Sequence, residues 1–170
     1  LDRALVEGLL AGKRVMITGA GGSIGAEIAR QVASFSPEKI ILVDFAESAL
    51  FETDFELQEQ FPEIESVANI VNVRNQNDLE KTFSENHPHC VFHAAAYKHV
   101  SLMEQHPSNA VCTNVLGTRN VVEAAVAHKV EKFVLISTDK AVKPSNVMGA
   151  TKRLCELVVA RQSSEHTQFG

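Results

Sequence analysis

The densest group of chemically active side chains lies near the end of the sequence, in STDKAVKPSNVMGATKR (137–153). This stretch carries a hydroxyl, a carboxylate and amines on Thr138, Asp139, Lys140 and Lys152. Such groups donate, accept and carry protons, whereas the thioether of Met148, one helical turn before Lys152, cannot carry one. The stretch therefore predicts acid–base chemistry in which the role of Met148 is open. The alternative interpretation is a plain connection between a strand and a helix.

A glycine-rich turn, TGAGGSIGAEIAR, follows the first predicted strand. The residues expected to bind phosphate there are Gly19, Gly22, Ser23, Ile24 and Gly25. Glycine permits the tight turn and the close approach of backbone to a pyrophosphate at a helix N-terminus. Asp44 follows about 20 residues later, where a carboxylate accepts hydrogen bonds from the adenosine ribose and repels a 2′-phosphate. The pattern predicts NAD rather than NADP, with capping of the next helix as the alternative role of Asp44.

The ends of the third and fourth predicted strands offer further cofactor contacts. The candidates are Asn72, Val73, Ala94, Ala95 and Ala96. An amide beside an apolar residue can receive an adenine ring, and small side chains let a flat cofactor lie close. Alternatively, Asn72 is an ordinary turn residue and the alanines serve packing alone.

Short apolar runs alternate with longer amphipathic stretches along the chain. The runs are typical of strands covered on both faces and span 14–18, 39–44, 67–73, 90–96 and 132–138. The predicted helices span 23–34, 46–60, 75–86, 107–128 and 145–163, with Pro107 at a favoured helix start. This alternation predicts a doubly wound α/β fold, a Rossmann-type parallel sheet with helices on both faces. Ligands of such sheets lie beyond the carboxyl ends of the strands.

Composition and charge exclude several classes of protein. The formal net charge of -5 argues against nucleic acid as a partner. The sequence lacks the run of about 18 apolar residues that a membrane-spanning helix needs, so we expect this piece to be soluble.

Cys90, Cys112 and Cys155 lie far apart among apolar neighbours, which predicts buried thiols in a reducing compartment. The histidines of residues 87–93 are candidate metal ligands, but the strand-like CVFHAAA predicts that these histidines have structural roles and bind no metal.

The two ends of the sequence indicate a piece of a longer protein. It starts with Leu1 rather than methionine, and its last residues, SSEHTQFG, stop without a closing element. We expect one NAD-binding domain over residues 1–170, with residues 1–12 as a lead-in segment.

Four motifs together resemble a known family. They are TGAGGSIGAEIARQ, AAYKHV, TNVLGTRNV and STDKAVKPSNVMGATKR. The chain resembles the extended short-chain dehydrogenase/reductase superfamily and, within it, the polysaccharide-biosynthesis family of nucleotide-sugar 4,6-dehydratases, typified by UDP-N-acetylglucosamine 4,6-dehydratases. The superfamily has a YxxxK pair on the helix after the fifth strand. Methionine at the tyrosine position, here Met148, is similar to the long, membrane-anchored subgroup.

The resemblance implies a role for each catalytic candidate. A 4,6-dehydratase moves a hydride from sugar C4 to NAD, abstracts the C5 proton, expels the C6 hydroxyl as water and returns the hydride to C6. Lys140 is then the base at C5, Asp139 the acid for the leaving hydroxyl, and Thr138 the partner of the C4 oxygen. Lys152 holds the nicotinamide ribose. The C4 proton, which Met148 cannot carry, leaves through Thr138, an ordered water or Asp139.

The resemblance also implies contacts and partners outside this stretch. Lys98 lies near the cofactor, and Lys98, His99 and Asn146 face the sugar. Asn114 belongs to the cofactor site, where it fixes backbone geometry under the active site, or it is a buried polar group satisfied by nearby backbone. The resemblance implies a homo-oligomer that makes a 4-keto-6-deoxy sugar nucleotide for capsule or lipopolysaccharide. Its location is the cytoplasm, or the cytoplasmic face of the inner membrane for the full-length protein, and a C-terminal substrate region is expected beyond this piece.

Two other functions stay open at this point. One is a nucleotide-sugar epimerase on the same fold, which the Asp139–Lys140 pair disfavours because 4-epimerisation needs no acid for water loss. The other is a noncatalytic domain that binds or senses NAD.

Overall fold

A parallel five-stranded sheet forms the centre of the computed structural model, which describes residues 3–165. The strands are β1 (Arg14–Thr18), β2 (Lys39–Asp44), β3 (Glu65–Ile70), β4 (Cys90–His93) and β5 (Lys132–Leu135). Their order is β3-β2-β1-β4-β5, and every neighbouring pair is parallel. The strand order reverses beside β1, which pairs with β2 on one side and β4 on the other. A crevice is expected at the carboxyl ends of strands at such a point.

Helices cover both faces of this sheet, as the doubly wound prediction requires. They are α1 (Arg3–Leu10), α2 (Ser23–Ala33), α3 (Glu47–Gln60), α4 (Gln76–Asn86), α5 (Val100–Gln105), α6 (Pro107–Ala110), α7 (Gly117–Ala127) and α8 (Val147–Glu165). A π-helical segment (Val111–Leu116) joins α6 to α7, and a 3₁₀ turn (Asp139–Ala141) follows β5. Within the described residues, no helix is long and apolar enough to cross a membrane.

Alternating strand residues form two separate cores, one on each face. Val15 and Ile17 of β1 pack with α1, α2 and α3 on one face, while Met16 between them packs with α4, α7 and α8 on the other. Successive side chains of a strand point to opposite faces, so a strand that is apolar throughout serves both cores. The Rossmann-type α/β fold is therefore confirmed.

Three predicted strands were too long or displaced at their carboxyl ends. β3 covers Glu65–Ile70 rather than 67–73, because it pairs residue for residue with β2, which ends at Asp44. β4 ends at His93 rather than 96, level with the end of β1 at Thr18. β5 ends at Leu135 rather than 138, level with the end of β4. The residues beyond these ends leave the sheet and line clefts instead.

The predicted helix 107–128 was wrong as a single element. Pro107 does start a helix, but a π-helical segment interrupts the stretch before α7 begins at Gly117. A π-helical segment widens the turn, and such segments often occur at functional sites. The lead-in segment 1–12 contains helix α1, and α5 was not predicted. Residues 1, 2 and 166–170, including most of SSEHTQFG, lie outside the described residues.

Candidate functional site

The glycine turn is fixed by backbone contacts that leave no room for side chains. Gly19 has a φ of 73°, and a Cβ on it would lie 2.6 Å from the amide nitrogen of Ala95. A Cβ on Gly25 would collide with the carbonyl oxygen of Gly19. Helix α2 therefore starts directly against the end of β1. This arrangement presents a helix N-terminus at the sheet edge, as pyrophosphate binding requires.

Asp44 ties the glycine turn to the start of α3. Its Oδ2 accepts a hydrogen bond from the Gly21 amide at 2.9 Å, and its Oδ1 accepts one from the Ala46 amide at 2.9 Å. Asp44 stays half-buried and lines the cleft above β1 and β2. Its carboxylate thus holds the glycine turn and the Ala46 amide just before α3, at a position suited to a ribose. It does not cap α3, whose N-cap is Ala46 and has no side-chain cap bond.

A first cleft of about 240 Å³ lies at this edge of the sheet. Its lining includes the predicted residues Gly19, Gly22, Asp44, Asn72, Val73, Ala94, Ala95 and Ala96. Sequence reasoning missed seven further lining residues, which are Gly21, Val43, Phe45, Ala46, Val71, Tyr97 and Thr113. The Asn72 side chain accepts a hydrogen bond from the Arg74 amide at 3.0 Å, so it shapes a turn while it lines the cleft.

Thr113 gives this cleft an unmatched polar group. In the described part of the chain, its Oγ1 is the only buried side-chain oxygen or nitrogen that lacks a hydrogen-bond partner. Leaving such an atom unpaired costs about 1–3 kcal/mol, which a polar ligand in the cleft would recover. Together with the crowded glycines and Asp44, this hydroxyl fits a cleft built for a dinucleotide.

A second cleft of about 360 Å³ adjoins the first and shares Ala94, Ala96 and Tyr97 with it. Its other lining residues are Ile24, Lys98, His99, Ile136, Ser137, Thr138, Lys140, Met148 and Lys152. The predicted catalytic residues are thus brought together, with the exception of Asp139. Ser23 lies at the border, where Lys98 Nζ donates to its hydroxyl at 3.2 Å.

Thr138, Asp139 and Lys140 form a small hydrogen-bonded group beside the second cleft. Thr138 Oγ1 donates to Asp139 Oδ1 at 2.9 Å, and Lys140 Nζ lies 3.4 Å from the same oxygen. The Asp139 side chain is 87% exposed. The hydrogen bond from Thr138, together with the charge of Lys140, lowers the pKa of Asp139. Asp139 is therefore an ionised, solvent-exposed carboxylate at neutral pH in the free protein.

Lys152 is buried under the second cleft. Its side chain donates to the carbonyl oxygen of Ile136 at 2.6 Å, and the residue is 6% exposed. Burial lowers the pKa of Lys152, and the nearby charge of Glu156 acts in the opposite direction. Glu156 is itself held by Ser137, whose hydroxyl donates to it at 2.6 Å. The ammonium of Lys152 is thus fixed at the end of β5.

Met148 has an apolar role in this structure. It is 3% exposed and forms a small cluster with Met103 and Ala110, against which Tyr97 packs. The side chain reaches the cleft lining but brings no proton-carrying group to it.

The N-terminus of α8 is held by two side chains. Asn146 Oδ1 accepts from the Gly149 amide at 2.8 Å, and Glu104 Oε1 accepts from the Val147 amide at 2.6 Å. Asn146 lies outside the lining of the second cleft and its oxygen caps the helix, so its assignment to the substrate stays a prediction. An asparagine just before a helix is also a capping signal, and that signal fits the structure.

Asn114 does not reach the cofactor cleft. It is fully buried in the π-helical segment, accepts from the Tyr97 amide at 2.8 Å, and donates to the Tyr97 carbonyl at 3.1 Å and to Thr151 at 2.9 Å. The assignment of Asn114 to the cofactor site stays a prediction. The bonds that the structure shows are those of a buried amide that fixes the backbone below the clefts.

His93 is a structural residue inside β4. Its ring nitrogens bond Thr18 Oγ1 at 2.6 Å and Thr118 Oγ1 at 2.9 Å. Burial, with a smaller effect of the Lys152 charge, lowers the pKa of His93 to about 3. The neutral ring thus joins the end of β1 to α7. The described residues contain no group of three His, Cys, Asp or Glu side chains placed to hold a metal ion.

The missed residues left weak signals in the sequence. Tyr97 and Phe45 each directly follow predicted cleft residues, Ala96 and Asp44, so a rule that extends each strand end by one residue would have found both. Thr113 is the first residue of the motif TNVLGTRNV but was not singled out, and Glu104 gave no signal, because their positions depend on how the π-helical segment and α5 pack.

The fold and the two clefts define an extended short-chain dehydrogenase/reductase with a Rossmann-type sheet. The chain belongs to the family described as Polysaccharide biosynthesis protein, which matches residues 15–170. It is 47% identical over 169 residues to the capsular polysaccharide biosynthesis protein CapD of Staphylococcus aureus, covering 99% of this chain and 28% of that protein. It is 40% identical over 156 residues to a UDP-glucose 4-epimerase of Rickettsia canadensis, covering 88% of this chain and 43% of that protein.

A solved structure gives the same result for the fold. The X-ray structure of Pen from Bacillus thuringiensis matches with a TM-score of 0.82 at 34% identity, covering 95% of this chain and 49% of that one. The chain thus spans less than half the length of each of these relatives.

Proposed function

We propose that this chain is the cofactor-binding and catalytic part of an NAD-dependent nucleotide-sugar 4,6-dehydratase. Its substrate is UDP-N-acetylglucosamine, and its product is a 4-keto-6-deoxy sugar nucleotide for surface polysaccharide, either capsule or lipopolysaccharide. The observation that carries the proposal is the group of Thr138, Asp139 and Lys140 beside Lys152, at a cleft that adjoins a dinucleotide-shaped one.

NAD is assigned to the first cleft. The glycine turn and the N-terminus of α2 suit its pyrophosphate, Asp44 suits its adenosine ribose, and the unpaired Thr113 hydroxyl offers a further hydrogen bond. The residues after Asp44, FAESALFE, are acidic and contain no arginine for a 2′-phosphate, so NAD is favoured over NADP. When bound, this cofactor supplies the hydride acceptor that C4 oxidation requires.

The second cleft, together with Asp139 beside it, then provides the acid–base groups. Lys140 removes the C5 proton, Asp139 protonates the departing C6 oxygen, and Thr138 hydrogen-bonds the C4 oxygen. Lys98 and His99 line the sugar side of the same cleft, and Lys152 holds the nicotinamide ribose. Because the pKa of Asp139 is lowered in the free protein, its work as an acid requires that the sugar exclude water from the carboxylate.

A nucleotide-sugar 4-epimerase is the second candidate, because the relative from Rickettsia canadensis bears that name. An epimerase removes and returns hydride at C4 and needs no group that protonates a leaving hydroxyl. The exposed Asp139–Lys140 pair has no use in such a reaction, which favours the dehydratase.

Self-association and location belong to the same proposal. The π-helical segment and α8 pack together and expose Val111, Leu116, Leu154 and Leu157. Such an apolar surface supports a homo-oligomer formed through these helices. We place the activity in the cytoplasm. For a full-length protein that carries a membrane anchor, we place it at the cytoplasmic face of the inner membrane.

The test uses the full-length protein with NAD and UDP-N-acetylglucosamine, followed by mass spectrometry. The expected product is lighter than the substrate by one water. Asp139→Asn is expected to slow water elimination by about 100-fold or more while NAD affinity is unchanged. Glu59→Gln, which removes one exposed carboxylate on α3, is the matched control and is expected to retain the wild-type rate.

Two other results would contradict the proposal. A product of unchanged mass and inverted C4 configuration would indicate the epimerase. An unchanged sugar in the presence of bound NAD would indicate a noncatalytic NAD-binding domain or another nucleotide sugar as substrate.

A further inference from the structure

The only phenol of the chain lies where the two clefts meet. Tyr97 is the single tyrosine in the sequence and lines both clefts. Its ring packs against the cluster of Met103, Ala110 and Met148. Its hydroxyl makes no hydrogen bond to any residue that the structure describes, although its backbone makes two. A proton-carrying group is thus available beside the methionine that lacks one.

The position of Tyr97 relative to Met148 is fixed by a chain of hydrogen bonds. Asn114 binds the Tyr97 backbone at both its amide, 2.8 Å, and its carbonyl, 3.1 Å. The same amide donates to Thr151 Oγ1 at 2.9 Å, and Thr151 Oγ1 donates to the Met148 carbonyl at 2.7 Å. All members except Tyr97 are buried, so the link fixes the Tyr97 backbone relative to Met148 on α8. The packing of the ring against the cluster of Met103, Ala110 and Met148 places the side chain.

The other groups considered for the C4 proton are less well placed. The Thr138 hydroxyl proton is directed to Asp139. The Asp139 carboxylate is almost fully exposed and lies outside the lining of the second cleft. The thioether of Met148 accepts only weakly and carries no proton.

We propose that Tyr97 is a catalytic residue through whose hydroxyl the C4 proton of the sugar leaves, the task that Met148 cannot perform. The inference rests on the proposed dehydratase function. In the oxidation step the C4–H bond breaks, and the hydrogen leaves with both bonding electrons as hydride. The nicotinamide dinucleotide is the oxidant that accepts this hydride, and C4 becomes a ketone. The C4 O–H bond breaks as Tyr97 Oη takes that proton and releases its own to solvent water. The proton that the C4 hydroxyl releases balances the proton that the C6 hydroxyl takes up when it leaves as water.

The experiment compares variants of the full-length, NAD-bound protein. Tyr97→Phe removes only the hydroxyl and is expected to lower the rate of 4-keto sugar formation by about 100-fold or more. The dissociation constant for NAD and the midpoint of thermal unfolding are expected to stay at wild-type values. Adding Met148→Tyr to Tyr97→Phe places a phenol on the neighbouring helix and is expected to recover at least about tenfold in rate. Met103→Leu, in the same cluster but in neither cleft lining, is the control and should retain activity.

The outcomes separate this inference from the function on which it rests. A wild-type protein that binds NAD but forms no 4-keto sugar overturns both. An active wild type whose Tyr97→Phe variant stays within about threefold of its rate overturns the role of Tyr97 alone. A Tyr97→Phe variant that loses NAD affinity or thermal stability along with activity, without rescue by Met148→Tyr, also overturns it, because the tyrosine is then structural.

Discussion

The two clefts are held together by different kinds of contact. The first cleft is built from backbone, since Gly19 and Gly25 sit so close to neighbouring main chain that no side chain fits. The second cleft takes its chemistry from side chains, and its Thr138–Asp139–Lys140 group belongs to an exposed loop with few bonds to the rest of the protein. Cofactor binding and folding are therefore linked in the first cleft, whereas the reacting groups of the second can change without disturbing the fold.

The comparison predicts that substitutions in the glycine turn have the largest effect on stability. Gly25→Ala places a methyl group against the Gly19 carbonyl, and neither α2 nor β1 can move without disrupting packing. We expect a loss of about 2–4 kcal/mol in the free energy of unfolding. NAD affinity should fall at least about tenfold. Urea denaturation and NAD titration measure the two effects.

Gly8→Ala is the matched control for this prediction. A Cβ on Gly8 meets no atom within 4 Å, and the residue is exposed on α1. Alanine should be neutral there or should stabilise the helix by up to about 1 kcal/mol. Equal effects of the two substitutions would show that the glycine turn is not constrained as described.

An intermediate effect is predicted at His93, which lies below both clefts. The unfolded chain binds a proton at this ring below about pH 6.5, while the folded chain keeps it neutral down to about pH 3. Acid therefore removes stability across this window, by on the order of 1 kcal/mol per pH unit. The free energy of unfolding, measured between about pH 6.5 and 4.5, should fall accordingly.

His93→Asn should lower stability at neutral pH and reduce the slope of this dependence, since the histidine with the more strongly lowered pKa is gone while His89, whose pKa burial also lowers, remains. His106→Gln, which changes an exposed histidine, should leave the slope as it is in the wild type. A wild-type slope that persists in His93→Asn would contradict the prediction.

The smallest effect on stability is predicted in the exposed loop. Asp139→Asn should leave the midpoint of thermal unfolding unchanged, because the carboxylate contacts only Thr138 and Lys140 through side-chain bonds. Differential scanning calorimetry at neutral pH measures this midpoint in the variant and in the wild type. A large drop would mean that this loop supports the fold, and the contrast between the two clefts would be lost.

The sequence predicted the first cleft better than the second for a physical reason. Glycine spacing and a carboxylate at a strand end report directly on backbone geometry, so the tight turn at Gly19 and Gly25 and the position of Asp44 at the end of β2 match the expectation. Their contacts with a cofactor stay a prediction. Whether a side chain near the second cleft faces a ligand depends on tertiary packing. Asn114 and Asn146, which were assigned to the cofactor and the substrate, lie outside the linings of both clefts. One binds the Tyr97 backbone and the other caps α8, and their contacts with ligands stay predictions.

The strand ends and the interrupted helix show the same limit. Apolar runs continue past His93 and Leu135, but a strand lasts only as long as its partner offers hydrogen bonds. Residues 107–128 were predicted as one helix, and the π-helical segment Val111–Leu116, which carries the buried Asn114, interrupts it. The local spacing of apolar residues predicts neither the ends of these strands nor the interruption of this helix.

The most direct test of the central claim follows one hydrogen atom. The full-length protein is incubated with NAD and UDP-N-acetylglucosamine that carries deuterium at C4, and the product is analysed by NMR. We expect loss of water and deuterium at C6, because the hydride removed from C4 returns to C6 of the same sugar. Deuterium that stays at C4, with the hydroxyl configuration inverted and no water lost, would contradict it and would identify an epimerase.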